Sequence, residues 1–276
     1  MASLRAVIVA GAVAIGAISA AHAADLDLPP PPPVEAPAPL PVTSGWYLRG
    51  DVGVGIASIN DVRSSFDSGF VVPGDEFDSR SVGDAAILGF GAGYQFNQWF
   101  RFDVTGEYRA NAAYHVIESA IFQCGGEGVV RCHDNDQGSV SSAVFLANGY
   151  VDLGTWWGVT PFVGAGVGTA DNFFQSITDT GEAGGFGFGS EHSSFSLAWA
   201  AMAGVDFSIT PNMKLEFSYR YIDLGTPVSG AIYCQNTPAC GHEIQRFHLT
   251  SNDLRIGLRY MFADIPAPAP PLVTKY

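Results

Sequence analysis

Charge is scarce in this chain: 14% of its 276 residues are Asp, Glu, Lys or Arg, against roughly 25% in a soluble domain. Basic residues are scarcer still, 13 against 27 acidic ones, and without a cationic surface no nucleic-acid partner is expected. Long apolar runs are missing as well. After the N-terminus no stretch reaches the roughly 18 apolar residues that a spanning helix requires, which excludes helical membrane spans. Low charge without long apolar runs leaves a closed sheet as the membrane architecture, because in hydrocarbon every backbone amide must be paired within the protein. What the chain has in quantity fits a sheet: 33 glycines and 12% aromatic residues.

The N-terminus reads as an address. Arg5, an apolar run from Ala6 to Ile18 and the small-x-small sequence Ala21-His22-Ala23 make residues 1–23 a secretory signal peptide cut after Ala23. Residues 24–44 form a proline-rich periplasmic linker, since proline lacks the backbone donor and holds φ near the polyproline II value. A second proline-rich tail covers residues 263–276. The folded body is therefore expected over residues 45–262.

Within that body, Trp-Phe-Arg-Phe-Asp-Val-Thr-Gly-Glu-Tyr-Arg-Ala over residues 99–110 sets the pattern. Phe100, Phe102, Val104 and Tyr108 share one face of a strand, and Arg101, Asp103, Glu107 and Arg109 share the other. Hydrocarbon on one face with ions on the other suits a wall between lipid and a polar interior. Similar segments occur at 46–57, 85–97, 140–153, 158–169, 194–209, 213–223 and 253–262, each near the ~10 residues of a tilted membrane strand. Short turns at 97–98, 154–157 and 210–212 alternate with stretches of over twenty residues near 58–84, 112–139, 170–193 and 225–251, which read as loops. Trp46, Trp99, Trp156 and Trp157 gather at the short-turn end as an aromatic girdle. The expected fold is all-β: an eight-stranded antiparallel transmembrane up-and-down β-barrel with short periplasmic turns and long extracellular loops, in the outer membrane of a Gram-negative bacterium.

The inward charges are Arg49, Asp51, Arg101, Asp103, Glu107, Arg109, Asp206, Lys214, Glu216, Arg220, Asp253, Arg255 and Arg259. Positive and negative charges nearly cancel, and confined charges are costly unless paired. This balance points to a cross-linked interior, with Asn148 and Asp152 marking the inner face of the fourth strand. A small low-conductance pore is the alternative. The external loops are net acidic and read as solvated, or alternatively as binding divalent cations that bridge lipopolysaccharide.

Four cysteines fall as two local pairs, Cys124 with Cys132 and Cys234 with Cys240. In an oxidising compartment these read as loop-closing disulfides, and the stapled loops make a surface adhesin or ligand receptor a further alternative. Zinc held by Cys234, Cys240, His242 and His248 is the competing reading, but the spacing matches no standard zinc pattern. His248 and Ser251 resemble the His/Ser pair of outer-membrane lipid A deacylases, yet three residues along a strand put them on opposite faces. No catalytic residue, cofactor or metal ligand is assigned, and an enzyme is not expected.

With its signal peptide, proline-rich spacer, opening strand Gly45-Trp46-Tyr47-Leu48-Arg49-Gly50 and closing Leu258-Arg-Tyr260-Met-Phe262, the chain resembles the outer-membrane immunogenic or porin-family β-barrel proteins of alphaproteobacteria. The resemblance implies an OmpA-like eight-stranded barrel that contributes to envelope integrity and surface contact, with no catalysis. It also implies that Ile256, Leu258, Tyr260 and Phe262 form the signal read by the outer-membrane assembly machinery, although here Ala263 to Tyr276 follow. The expected partners are outer-membrane lipid and lipopolysaccharide, that machinery, and peptidoglycan through the proline-rich tails.

Overall fold

The computed structural model describes residues 44–66, 74–123, 128–182, 184–235 and 242–262. The expected signal peptide, nearly all of the expected linker, the proline-rich C-terminal tail, Cys124 and Cys240 lie outside these residues. The described residues form twelve strands: β1 (Gly45–Phe66), β2 (Glu76–Val82), β3 (Ala85–Gln95), β4 (Phe100–Gln123), β5 (Val129–Asp152), β6 (Val159–Phe174), β7 (Ile177–Gly181), β8 (Phe186–Gly189), β9 (His192–Ser208), β10 (Met213–Asp223), β11 (Ile232–Cys234) and β12 (Glu243–Met261).

Eight of them close a cylinder. The antiparallel ladder runs β1 to β3, β4, β5, β6, β9, β10 and β12, and β12 returns to β1. Closure leaves no unpaired edge in the wall, the condition hydrocarbon imposes. At the seam, Phe262 donates its backbone amide to the Trp46 carbonyl at 2.9 Å.

One face of the wall is apolar and exposed. Val52, Val54, Leu88, Phe90, Phe102, Val104, Val163, Val167, Leu197, Leu254, Ile256 and Leu258 each keep more than two fifths of their surface exposed, as a lipid-contacting belt must. The three tight turns share one end. Asn97 Oδ1 accepts the amides of Trp99 and Phe100 at 2.8 and 3.0 Å, and Trp157 and Gly158 turn the chain between β5 and β6 with φ of 53° and 82°. Trp46, Trp99, Trp156 and Trp157 are exposed at this end.

At the opposite end the structure departs from the sequence reading. The described residues of the segments 58–84, 112–139, 170–193 and 225–251 carry much strand, because β1, β4, β5, β6 and β12 continue far past the outer limit of the apolar belt. β4 and β5 each run 24 residues, more than twice the ~10 a membrane crossing needs. β2 pairs with the extension of β4, and β7, β8 and β11 bridge β5 to β12. The result is an ordered cap standing above the membrane. Register shifts between Asn60 and Arg63 in β1 and between Arg109 and Ala112 in β4 mark its base, and Asp61 takes a positive φ of 49° in the first of them. Each bulge inserts a residue and reverses which side chains point inward.

The belt and the cap make opposite demands on an exposed apolar residue. Phe102→Arg on the lipid face is expected to cost about 2–4 kcal/mol. Val129→Arg, equally outward but in the cap, is expected to change stability by less than about 0.5 kcal/mol. Urea titration of both variants in lipid vesicles measures this, and equal costs would refute the position assigned to the membrane.

Candidate functional site within the barrel

The inward face of the membrane-level wall is charged on one side and apolar on the other. β1, β4, β10 and β12 supply most of the ions, joined by Asp152 at the end of β5 and Asp206 on β9, whereas β5, β6 and β9 otherwise present Leu146, Phe162, Ala198, Ala200 and Met202. Arginines from the charged side therefore reach across the whole interior. Arg49, Asp51, Arg101, Asp103, Glu107, Arg109, Asp206, Glu216, Arg220, Asp253, Arg255 and Arg259 are all buried. Lys214 is only partly buried, beside Arg259 at the end that carries the short turns.

Three levels of pairing fill the space. Nearest the short turns, Arg101 Nε contacts Asp152 at 3.1 Å, Arg259 pairs with Asp206, and the Arg101 guanidinium stacks 4.0 Å from the Tyr150 ring and 4.4 Å from that of Phe162. Above it, Arg49 reaches Asp103 at 3.2 Å, Glu216 at 2.8 Å and the Tyr150 hydroxyl at 2.9 Å, while Arg255 pairs with Asp51. In the uppermost level Arg220 forks onto Glu107 at 2.7 and 2.8 Å and also meets Asp253 at 2.6 Å. Arg109 grips the same Asp253 through both oxygens at 2.8 and 2.9 Å. Bidentate charge-assisted pairs of this kind are the strong ones.

Glycine makes the crossing possible. A Cβ at Gly55 would collide with Arg109 Nη2, and one at Gly93 would collide with the Tyr47 ring. The upper level is fully hydrogen-bonded, whereas Arg101 Nη1 and Nη2, Arg259 Nε and Nη1 and Asp152 Oδ2 are buried with no hydrogen-bond partner among the described residues. Ordered water is the usual partner for such groups.

Above the ions the interior turns apolar, a change absent from the sequence reading. Ile59, Val62, Tyr114, Val116, Val140, Phe174, Ile177, Ile222, Leu224, Ile232, Phe247 and Leu249 form a continuous core through the base of the cap, with Tyr114 stacked on Phe247 at 5.0 Å between ring centres. Higher still, Glu118, Asp136 and Glu243 converge, their nearest oxygens within 4.8 Å of one another. The acids of these segments are thus not all solvated. Burial, and then the neighbouring carboxylates, push Glu118 up to about 10 and Asp136 up to about 8.

Asp152, Tyr150 and Tyr47 join the network although the sequence reading did not count them among the inward ion-pairing residues. Parity was the available signal, since Tyr150 and Asp152 share the phase of Asn148 and Tyr47 that of Arg49. His248 faces outward, 3.1 Å from Asp223, while Ser251 is buried and donates to Asp253 at 2.6 Å. The two do not meet. Cys132 and Cys234 are each disulfide-bonded, so Cys234 offers no thiolate to a zinc site. Ile256, Leu258, Tyr260 and Phe262 lie exposed along the outer face of the closing strand and just beyond it.

Residues 10–262 match the model of the outer membrane protein beta-barrel domain. The chain belongs to that family. An uncharacterized protein of Brucella suis biovar 1 is 33% identical over 90% of this chain and 95% of its own length, and outer membrane protein PagN of Salmonella typhimurium is 25% identical over 79% and 90%. Among solved structures, the outer membrane protein OprG from Pseudomonas aeruginosa aligns with 81% of this chain and 98% of its own at 15% identity and a TM-score of 0.49. Family membership places this outer-membrane β-barrel protein in the outer membrane of a Gram-negative cell.

Breaking a buried pair leaves a charge without compensation, which costs about 3–5 kcal/mol. Arg220→Met takes the two short contacts from Glu107, leaving it Arg109 and Arg255 at 3.4 Å, and is expected to lower unfolding stability by at most that amount. Adding Glu107→Leu should restore most of the loss, and a double-mutant cycle in urea measures the coupling.

Proposed function

We propose that this protein is a structural component of the outer membrane, supporting the envelope and displaying its cap, with no catalysis and no solute path through the barrel. The observation that carries this reading is the filled interior: three levels of ion pairs under a continuous apolar core. Side chains of an eight-stranded barrel just fill its interior, and an apolar plug is a barrier that ions cross only by losing their hydration. The separation of His248 from Ser251 supports the absence of deacylase chemistry. Export with cleavage after Ala23, loop closure by Cys124 with Cys132 and Cys234 with Cys240, and peptidoglycan contact through the proline-rich tails belong to the same reading. So does recognition of Ile256, Leu258, Tyr260 and Phe262 by the assembly machinery, and contact of the outer face with lipid and lipopolysaccharide. Planar bilayers containing the purified protein are expected to show no discrete, sustained conductance steps; such steps would favour the small-pore alternative.

A surface adhesin or ligand receptor is the second reading, and one observation favours it. In the cap, Phe186, Phe188 and Tyr233 are exposed on β8 and β11, with Phe188 opposite Tyr233 in the ladder. Exposed aromatic side chains that face water rather than lipid are typical of contact surfaces. Phe188→Ser with Tyr233→Ser is expected to weaken any binding of whole cells to host surfaces at least about tenfold if each aromatic is a binding anchor. Heat-modifiable migration in detergent gels should stay unchanged; unaltered binding by the double variant would reject the aromatic pair as the contact.

A further inference from the structure

The two charged regions of this protein differ in kind. At membrane level every buried acid has an arginine beside it. In the cap, Glu118 on β4, Asp136 on β5 and Glu243 on β12 are drawn together, and the charged neighbours that bear on them are acidic as well, namely Asp75, Asp134 and Asp179. Arg131 and His133 are engaged at the surface with Glu76, Asp78 and Glu182. Three converging carboxylates whose strongest charged neighbours among the described residues are acidic too are a configuration that burial strongly disfavours.

Uncharged donors, Gln245 and Ser64, hold the acids of the cluster, and Glu118 also shares a hydrogen bond with the Asp75 carboxyl group. Gln245 Nε2 donates to Asp136 Oδ2 at 2.6 Å and to Glu243 Oε1 at 2.9 Å, and Ser64 Oγ donates to Glu243 Oε1 at 2.7 Å. One oxygen is left over in a telling place. Asp136 is 1% exposed, yet its Oδ1 has no hydrogen-bond partner among the described residues. A buried carboxylate oxygen without a hydrogen-bond partner among the described residues, on a side chain that converges with two further carboxylates, is the arrangement of a ligand atom.

We propose that Glu118, Asp136 and Glu243 are the protein ligands of a divalent cation site inside the cap, for a hard, oxygen-seeking ion of the calcium class. The donor set is oxygen only, which disfavours zinc and copper and suits calcium. Bonds of roughly 2.3–2.6 Å to calcium let a single ion bridge oxygens up to about 5 Å apart, the spread seen here. Water completes the coordination of such sites. Gln245 acts as a positioning residue, fixing two of the three carboxylates. The ion would join β12, paired with the extension of β1, to β4 and β5 across the cap, adding to the strand bridge that β7, β8 and β11 make between β5 and β12.

Full-length protein refolded in detergent and stripped with EDTA tests this. Ca²⁺ is titrated by calorimetry, and Tb³⁺ in parallel with tyrosine-sensitised emission. Tyr114 donates to Gln245 Oε1 at 2.9 Å and so provides a sensitiser at the cluster. The expected result is a single saturable site, weakened at least about tenfold by Asp136→Asn and by Glu243→Gln and unchanged by Asp84→Asn at an exposed position. Calcium should protect the wild-type cap from protease, and Asp136→Asn, with one fewer like charge, should be more resistant than wild type in EDTA. Absence of saturable binding up to about 10 mM overturns the proposal, since even weak extracellular sites bind below that. Binding that survives both ligand variants also overturns it, by placing the ion on exposed acids. Should either variant fail to show heat-modifiable migration, the wild type decides: protease sensitivity equal with Ca²⁺ and EDTA overturns the proposal.

Discussion

Charges inside the barrel must meet partners, and strand register is what makes them meet. Arg220 lies directly opposite Asp253 in the pairing of β10 with β12, and the same Asp253 faces Gly55 on β1, whose missing side chain leaves space for Arg109. Slippage by one residue would send these ions into lipid and pull the leucines and phenylalanines inward. Each arginine so displaced costs about 2–4 kcal/mol near the midplane. Buried ion pairs add little net stability over apolar packing; their effect here is selection of one register among those a glycine-rich sheet would otherwise permit.

Two solvents outside the wall explain the two chemistries inside it. At membrane level lipid already accepts the apolar face, so no hydrophobic drive remains to fill the interior with leucine, and polar groups can close it by pairing. In the cap water lies outside, and the strands need an apolar core of their own to hold together. Tyr114, Val116, Phe174, Ile177, Phe247 and Leu249 provide it. The protein thus buries ions along one side of its interior within the membrane and is conventional above it, with the change at the level of Arg109 and Ala112.

That change also explains what could be read from sequence. Membrane-level strands are legible because their two faces differ in kind, and alternation alone places Phe102 outward and Asp103 inward. Above the belt both signals fail. Outward positions such as Asn60, Arg63 and His115 are polar because they face water, so a polar residue no longer marks the interior. The bulges then reverse the phase: inward residues are odd-numbered up to Arg109 and even-numbered from Ala112 on β4, and Val62 and Ser64 follow Ile59 on β1 in the same manner. A period-two template carried through either site assigns the wrong face, and the segment looks like loop. The acidic trio is hidden for a further reason. Its members come from β4, β5 and β12, more than a hundred residues apart at the extremes, and only a closed barrel with its extensions brings them together.

The layered interior bears on transport more directly than barrel size does. Donors on Arg101 and Arg259 without hydrogen-bond partners among the described residues suit water, so the end with the short turns can be wet without the molecule being a channel. An ion entering there would pass Lys214 and then find arginines and carboxylates paired with one another. Beyond Arg220 and Arg109 it would meet Ile222, Leu224, Leu249 and the Tyr114 and Phe247 rings, which offer no oxygen at all apart from a hydroxyl committed to Gln245. An apolar constriction excludes water as well as ions. The cap's acids, lying on the far side of that barrier, therefore answer to the external medium alone, and an ion held by them reports conditions at the cell surface rather than passage across the membrane.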